Sequence, residues 1–351
     1  RIGEKVSFGL TTTTCFTLSF AFLVDYDLDL CYFASGHPYT YSDLQRYLHD
    51  CESDCQKKEY FMREVLCTSL AGNRCDVLTI GKTTETAPCV VISARVHSGE
   101  TCASWMIHGL LDFLLGESPE AVRIRNMVCV KIIPMLNPDG VICGKSRFSL
   151  AGVDLNRMYS DPNPNLHPTV FHFRELLQTI PNLRFFCDFH GHSKKQNIFA
   201  YACSPSRLNR RKYSSFVYRP QTSKRAGMGQ DDPINPVQKA DEVDTKAQSD
   251  IPYINYPREF LEILAKSSPM FSFEHSNFRS PVGVTSSARV YLHRTRPNVL
   301  SMTLEGSLCG MNVGKYKGMH LSSDHFLQMG NHFGHALDEF LSKHLVDTSA
   351  T

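Results

Sequence analysis

The stretch Val90-Val91-Ile92-Ser93-Ala94-Arg95-Val96-His97-Ser98-Gly99-Glu100 runs an apolar strand straight into a His-x-x-Glu pair, and a helical pattern follows from Cys102. A histidine nitrogen and a carboxylate oxygen three residues apart, on the turn where a strand ends, can both point at one ion with bonds of about 2.0–2.2 Å. Spacing alone does not decide this. His49-Asp50-Cys51-Glu52 and His172-Phe173-Arg174-Glu175 carry the same pattern in segments that read as helix. The context of each pair decides.

Outward from that strand the chain alternates. Asp76–Ile80, Cys89–Ala94, Val128–Ile133 and Leu183–Phe189 read as strands, and Cys102–Leu115 and Pro168–Thr179 as helices. This alternation is the signature of an α/β domain, and wholly apolar strands such as Val128–Ile133 predict a sheet covered on both faces. Ser42 is a candidate N-cap for a helix with Leu44, Tyr47 and Leu48 on one face. Residues 322–344 read as a closing amphipathic helix, apolar at Phe326, Phe333, Leu337, Phe340 and Leu341. Residues 5–33 read instead as two or three strands, with Cys15–Val24 as a buried strand about half as long as a membrane crossing needs. Residues 204–251 have little apolar periodicity, with a basic half around Arg207–Arg225 and an acidic half around Asp231–Asp250, and read as a solvated, mobile insertion.

Composition sets broad limits. The 351 residues are 42% hydrophobic and 21% charged, and 37 basic residues nearly cancel 35 acidic ones for a net charge of +2. Nothing in that balance asks for a nucleic-acid or membrane partner, and no Gly-rich phosphate loop is present. The thirteen cysteines scatter from Cys15 to Cys309, several inside apolar runs, as at Cys129 and Cys187. That fits reduced thiols in a cytoplasmic protein better than a disulfide framework. Cys51-x-x-x-Cys55 would be half a zinc clip, but no second pair follows. The chain starts at Arg1 without a basic-then-apolar leader and reads as part of a longer protein.

A hydrolytic zinc site needs three protein ligands and one open position. A third ligand is on offer in Cys187-Asp188-Phe189-His190-Gly191-His192-Ser193, where another apolar strand runs out. His190 and His192 would share one face of a strand, and either could reach the ion. Between the two places lie Met135-Leu136-Asn137-Pro138-Asp139-Gly140-Val141, turn chemistry on its face, then Arg147, then Gly152-Val153-Asp154-Leu155-Asn156-Arg157.

In this order the motifs resemble the zinc carboxypeptidases, and most closely the cytosolic carboxypeptidases that trim glutamate from protein tails. His37-Pro38-Tyr39-Thr40-Tyr41, Ser93–Glu100, Pro134–Val141, Ser149–Arg157, Asp188–Ser193, Ser287-Ala288-Arg289-Val290, Thr303-Leu304-Glu305 and Gly314-Lys315-Tyr316-Lys317-Gly318 all look like family segments. The resemblance implies an α/β fold with a mixed, mostly parallel central sheet flanked by helices. Residues 1–36 would be the last strands of an N-terminal β-rich domain, and residues 37–348 the catalytic domain.

The resemblance also implies roles. His97, Glu100 and His190 would hold one zinc ion, and Glu305 would be the general base and acid beside it. Arg147 resembles the arginine that stabilises the developing oxyanion. Asn156 and Arg157 look like the clamp on the substrate's terminal carboxylate, and Asp154 like the carboxylate that orients His97. Arg289 stands where the family has the basic residue that meets the terminal side chain, which predicts terminal glutamate or aspartate. Acidic protein tails, with polyglutamylated tubulin foremost, are the implied partners.

Two departures stand out. Ser98 replaces the usual proline of the metal turn without touching a ligand, and His293 replaces a common tryptophan near the specificity pocket. The rival readings are a same-fold zinc amidase acting on small acyl amino acids, and a catalytically silent module that holds acidic tails.

Overall fold

The computed structural model describes residues 2–8, 11–17, 19–34, 36–84, 86–203, 256–279 and 286–345. The segment read as an insertion, 204–251, lies outside them. Two compact units divide the chain, residues 1–35 and 36–351.

In the first unit, β1 (Ile2–Phe8) and β2 (Thr11–Thr17) form an antiparallel ribbon. Residues 19–34 contain no strand, and the expected buried strand over Cys15–Val24 does not continue past Thr17. Phe22 and Phe33 pack edge to face at 4.9 Å, yet Phe20 stays 61% and Leu23 84% exposed. A two-stranded ribbon has no further layer against which such side chains can be buried.

The second unit begins with α1 (Tyr41–Ser53). Its N-cap is Thr40, not Ser42: the Asp43 backbone N–H donates to the Thr40 hydroxyl, and the Thr40 N–H donates back to the Asp43 carboxylate. Ser42 also has a capping partner three residues on, Gln45, but that side chain is taken up by Asp76 and Arg63. There follow β3 (Phe61–Thr68), β4 (Arg74–Gly81), β5 (Cys89–Ala94), α2 (Thr101–Leu115), α3 (Pro119–Met127) and β6 (Cys129–Ile133). Next come α4 (Pro138–Ile142), α5 (Pro168–Thr179), β7 (Leu183–His192) and β8 (Phe199–Ala202). The chain closes with α6 (Tyr256–Ser267), α7 (Ala288–Thr295), β9 (Leu300–Ser307) and α8 (Ser323–Leu345). Asn137-Pro138-Asp139-Gly140 is not a simple turn: Asn137 caps α4 by accepting from the Gly140 N–H, with proline at the first helical position. No described helix is long and apolar enough to cross a membrane.

The seven strands β3–β9 form one sheet in the order β3-β4-β6-β5-β7-β9-β8. Its centre, β6-β5-β7-β9, is parallel, and antiparallel strands flank it. Period-two alternation splits the core. Val90, Ile92 and Ala94 enter one apolar layer, whereas Cys89 and Val91 enter the other.

On the first face α2 and α8 touch backbone to backbone. A Cβ on Gly330 would lie 2.0 Å from the Met106 carbonyl oxygen, and one on Gly109 2.0 Å from that of Leu327. The sheet order positions the site: from β5 the chain goes to β6 on one side, then crosses back to β7 on the other. Such a reversal leaves a crevice beyond the carboxyl ends of the strands.

Candidate metal and catalytic site

The metal candidates and Glu305 stand where strands of that crevice run out, whereas Arg147, Asp154, Asn156 and Arg157 come from the segment after α4 and Arg289 from α7. After β5, Arg95 takes a left-handed backbone conformation with φ of 59°, uncommon for a residue with a Cβ. Its side chain, buried at 3% exposure, fixes the turn by donating to Ser98 O at 2.8 Å, Tyr39 O at 3.0 Å and the Ser104 hydroxyl at 2.7 Å. The turn delivers His97 and then Glu100, the residue preceding α2, whose carboxylate makes no capping hydrogen bond and is free to face inward.

Glu100 bridges the two histidines. Its Oε1 lies 2.8 Å from His97 Nδ1 and its Oε2 3.0 Å from His190 Nδ1. The three side chains offer donor atoms within 4.8 Å of one another. Donors around a tetrahedral zinc at 2.0–2.2 Å stand roughly 3.3 Å apart, so the trio suits the ion once its widest pair closes by up to about 1.5 Å, within reach of side-chain rotation. The outer nitrogens are held as zinc-ligating histidines require. His97 Nε2 faces Asp154 Oδ1 at 3.0 Å, and His190 Nε2 faces Asp188 Oδ2 at 2.7 Å. Asp188 is itself fixed by a 2.7 Å hydrogen bond from the Ser93 hydroxyl on β5.

Of His190 and His192, His190 is the one that joins this cluster. His192 Nδ1 accepts from the backbone N–H groups of Lys194 and Lys195, and the clustered donors are those of His97, Glu100 and His190. The look-alike pairs lie on helices away from this cluster: His172 meets Glu175 on the exposed face of α5, and His49 and Glu52 lie on α1. The described cysteines from Cys31 onward are free thiols.

Electrostatics differ sharply between the carboxylates. Burial works against ionisation of Glu100, but the facing His190 and His97 outweigh it and hold its carboxyl well below the usual range. At Asp154 burial is likewise overcome, here by His97 and Arg147. Glu305, paired in register with His190 across β7 and β9, is 8% exposed. Burial pushes its carboxyl up to about 7, with nearby His190 opposing and Glu100 reinforcing. A carboxylate poised near neutrality suits proton transfer.

A cleft of about 540 Å³ is lined by His97, Glu100, His190, Glu305, Arg147, Asn156, Arg157 and Arg289. Asp154 lies behind it, its second oxygen bound by Arg147 Nε at 2.8 Å and Nη2 at 2.6 Å. Asn156 Oδ1 accepts from the Ala288 N–H at the start of α7, and its amide nitrogen lies 3.3 Å from His190 Nε2. Arg157 donates to the Asn156 carbonyl. Arg289, on α7, is 9% exposed, and no carboxylate pairs with it among the described residues. His293, one turn on, has its pKa lowered by burial and then by Arg289 and Arg294.

Asp188, Gly191 and Arg95 also shape the site, though their roles are not evident from sequence. The spacing Asp188-x-His190 carried a signal, since residues two apart share one face of a strand. Gly191 donates its N–H to Glu100 Oε2 at 2.8 Å, and a Cβ there would lie 2.7 Å from Cys102 Sγ.

Comparison with known proteins agrees with this geometry. The family described as "Zinc carboxypeptidase" matches residues 56–329. Cytosolic carboxypeptidase 1 of Danio rerio is 36% identical over 337 residues, which is 92% of this chain and 27% of that protein. Cytosolic carboxypeptidase 3 of Mus musculus is 34% identical over 353 residues, 97% of this chain and 31% of that one. The chain thus spans under a third of these relatives' length. Among solved structures, a metallo-carboxypeptidase from Burkholderia cenocepacia superposes with a TM-score of 0.66 at 22% identity, covering 88% of this chain and 71% of that one. One from Pseudomonas aeruginosa gives 0.65 at 20% identity, covering 89% and 71%; at such identities the likeness is one of fold. With a family match running from ahead of β3 into α8, and with three side chains that could hold a metal gathered at the carboxyl ends of the central strands, the chain belongs to the zinc carboxypeptidase family.

Proposed function

We propose that this chain is the catalytic part of a cytoplasmic metallocarboxypeptidase that removes glutamate, C-terminal or side-chain-linked, from acidic protein tails, polyglutamylated tubulin foremost. The observation that carries the reading is Arg289. A nearly buried guanidinium without a carboxylate partner among the described residues lines the same cleft as the zinc donors and Glu305. A buried charge is costly until something pairs with it, and an acidic side chain of the substrate supplies that partner. The names of the cytosolic carboxypeptidase relatives support the cytoplasmic setting.

His97, Glu100 and His190 would hold zinc, which when bound would supply Lewis-acid polarisation of the scissile carbonyl and a lowered pKa for water. Glu305 removes the proton from the attacking water and returns it to the leaving amine. Asn156 and Arg157 orient the substrate by its free carboxylate, which restricts cleavage to a chain end. Arg147, braced by Asp154, directs its remaining donors at the oxygen on which negative charge develops.

The test is release of the last residue from a peptide ending in several glutamates, beside the same peptide ending in leucine. Glutamate is expected to leave far faster, and Glu305→Gln to lower its rate by at least roughly 100-fold while zinc stays bound. Equal leucine release refutes the acidic preference. No release from either peptide by the zinc-loaded protein refutes the reaction and favours a silent binding module.

A further inference from the structure

Arg289 makes an unusual bond at the back of the cleft: its Nη1 donates to the sulfur of Cys203 at 2.9 Å. Cys203 is 1% exposed and directly follows the edge strand β8, whose Tyr201 lines the cleft with its ring centre 5.8 Å from the same guanidinium. Thus Arg289 is gripped by a sulfur and an aromatic face, neither of which carries an obligatory negative charge. Sulfur is a weak acceptor. It can fix the orientation of the planar fork without competing with a carboxylate for its charge. A carboxylate at position 203 would do the opposite and consume that charge before a ligand arrived.

The geometry points to Cys203 as the positioning residue for Arg289: its thiol anchors the guanidinium from behind and leaves the charge free for an acidic terminal side chain. This rests on the reading of Arg289 as the residue that meets that side chain. Cys203 takes no part in the reaction itself; it touches none of His97, Glu100, His190 or Glu305 through a hydrogen bond among the described residues. Its removal is felt only when the substrate has an acidic end.

Steady-state kinetics of the full chain with glutamate-ending and leucine-ending peptides test this. Cys203→Ala is expected to raise KM for the glutamate peptide roughly tenfold, the effect of losing a hydrogen bond to a charged group. The kcat for that peptide and the leucine kinetics stay within about twofold. Cys203→Ser, which keeps an acceptor, restores KM. Cys203→Asp, which pairs with Arg289 in advance, abolishes the preference for glutamate over leucine. Zinc content and thermal unfolding of each variant check that the fold is intact, and the alanine and serine variants carry the test if the aspartate variant does not fold.

The inference is overturned if Arg289→Ala loses the preference for glutamate while folded Cys203→Ala keeps the wild-type KM and glutamate-to-leucine ratio. In that case the acidic-end reading itself stands. A wild-type protein that releases leucine as readily as glutamate overturns both.

Discussion

Gly191→Ala tests whether the zinc donors are held by backbone packing as described. Gly191 sits between His190 and His192 on β7 and presses against Glu100. A Cβ there would lie 2.7 Å from Cys102 Sγ, 3.0 Å from Glu100 Cβ and 3.1 Å from Glu100 Cγ. Ordinary contacts of this kind are about 3.5–4.0 Å, so atoms must separate by roughly 0.5–1 Å. Cys102 has little room to give way, since it is 1% exposed and its Sγ lies 3.6 Å from the Gly306 carbonyl. Glu100 must take up much of the shift, and its 2.8 Å hydrogen bond from the Gly191 N–H is disturbed with it.

Zinc distances hold to within about 0.2 Å in a good site, and perturbing groups that orient ligands lowers metal affinity 10- to 100-fold. The expected loss is therefore about 1.4–2.7 kcal/mol of zinc binding free energy. Competition with a chromogenic chelator measures it, and thermal unfolding of the metal-free protein provides the control for folding. Cys102→Ala in the same background removes the closest contact and recovers part of the affinity. Wild-type zinc affinity in folded Gly191→Ala would refute the account of how Glu100 is placed.

Glu305 gives a pH-dependent prediction for the metal-free protein. Its folded pKa stands at about 7 against an ordinary 4.5. Above the higher value it is ionised in both folded and unfolded states and the buried charge destabilises the fold by up to about 3 kcal/mol; below the lower value it is protonated in both and the penalty vanishes. Glu305→Gln is thus expected to stabilise metal-free protein at pH 8 and to confer little advantage near pH 4.5, as read by urea unfolding. An equal effect at both pH values would show that ionisation is not the cause. At the α2–α8 crossing, Gly330→Ala would set a Cβ 2.0 Å from the Met106 carbonyl oxygen. The carbonyl oxygen is backbone and the Cβ is fixed rigidly to the backbone of the facing helix, so the helices must part, at a cost of about 3 kcal/mol in urea unfolding; a loss below about 0.5 kcal/mol would refute so close a crossing.

Local pattern alone determined a large part of this protein. Cys89–Ala94 and Pro168–Thr179 run in the structure between the same residues as in the sequence reading, because an apolar strand and an amphipathic helix are written in residues two to four positions apart. The His-x-x-Glu turn was legible for the same reason: its geometry needs only four consecutive residues. Cap choice was already harder. Thr40 and Ser42 both carry hydroxyls, and the decision fell to a reciprocal bond with Asp43. The apolar run through Phe20 and Leu23 looked like core, yet exposure depends on whether another layer covers it, which no run of residues states about itself.

What only the tertiary structure decided are the relations between distant strands. His190 rather than His192 faces Glu100, because β7 lies beside β5 in a register that pairs Ser93 with Asp188. Glu305 reaches the same place because β9 pairs His190 with Glu305. Cys203 and Arg289, 86 positions apart, meet only once α7 packs near the edge of the folded sheet. Sequence periodicity specifies which way a side chain points from its own backbone; which groups it then meets follows from strand order and register, and these are settled by the packing of the whole sheet.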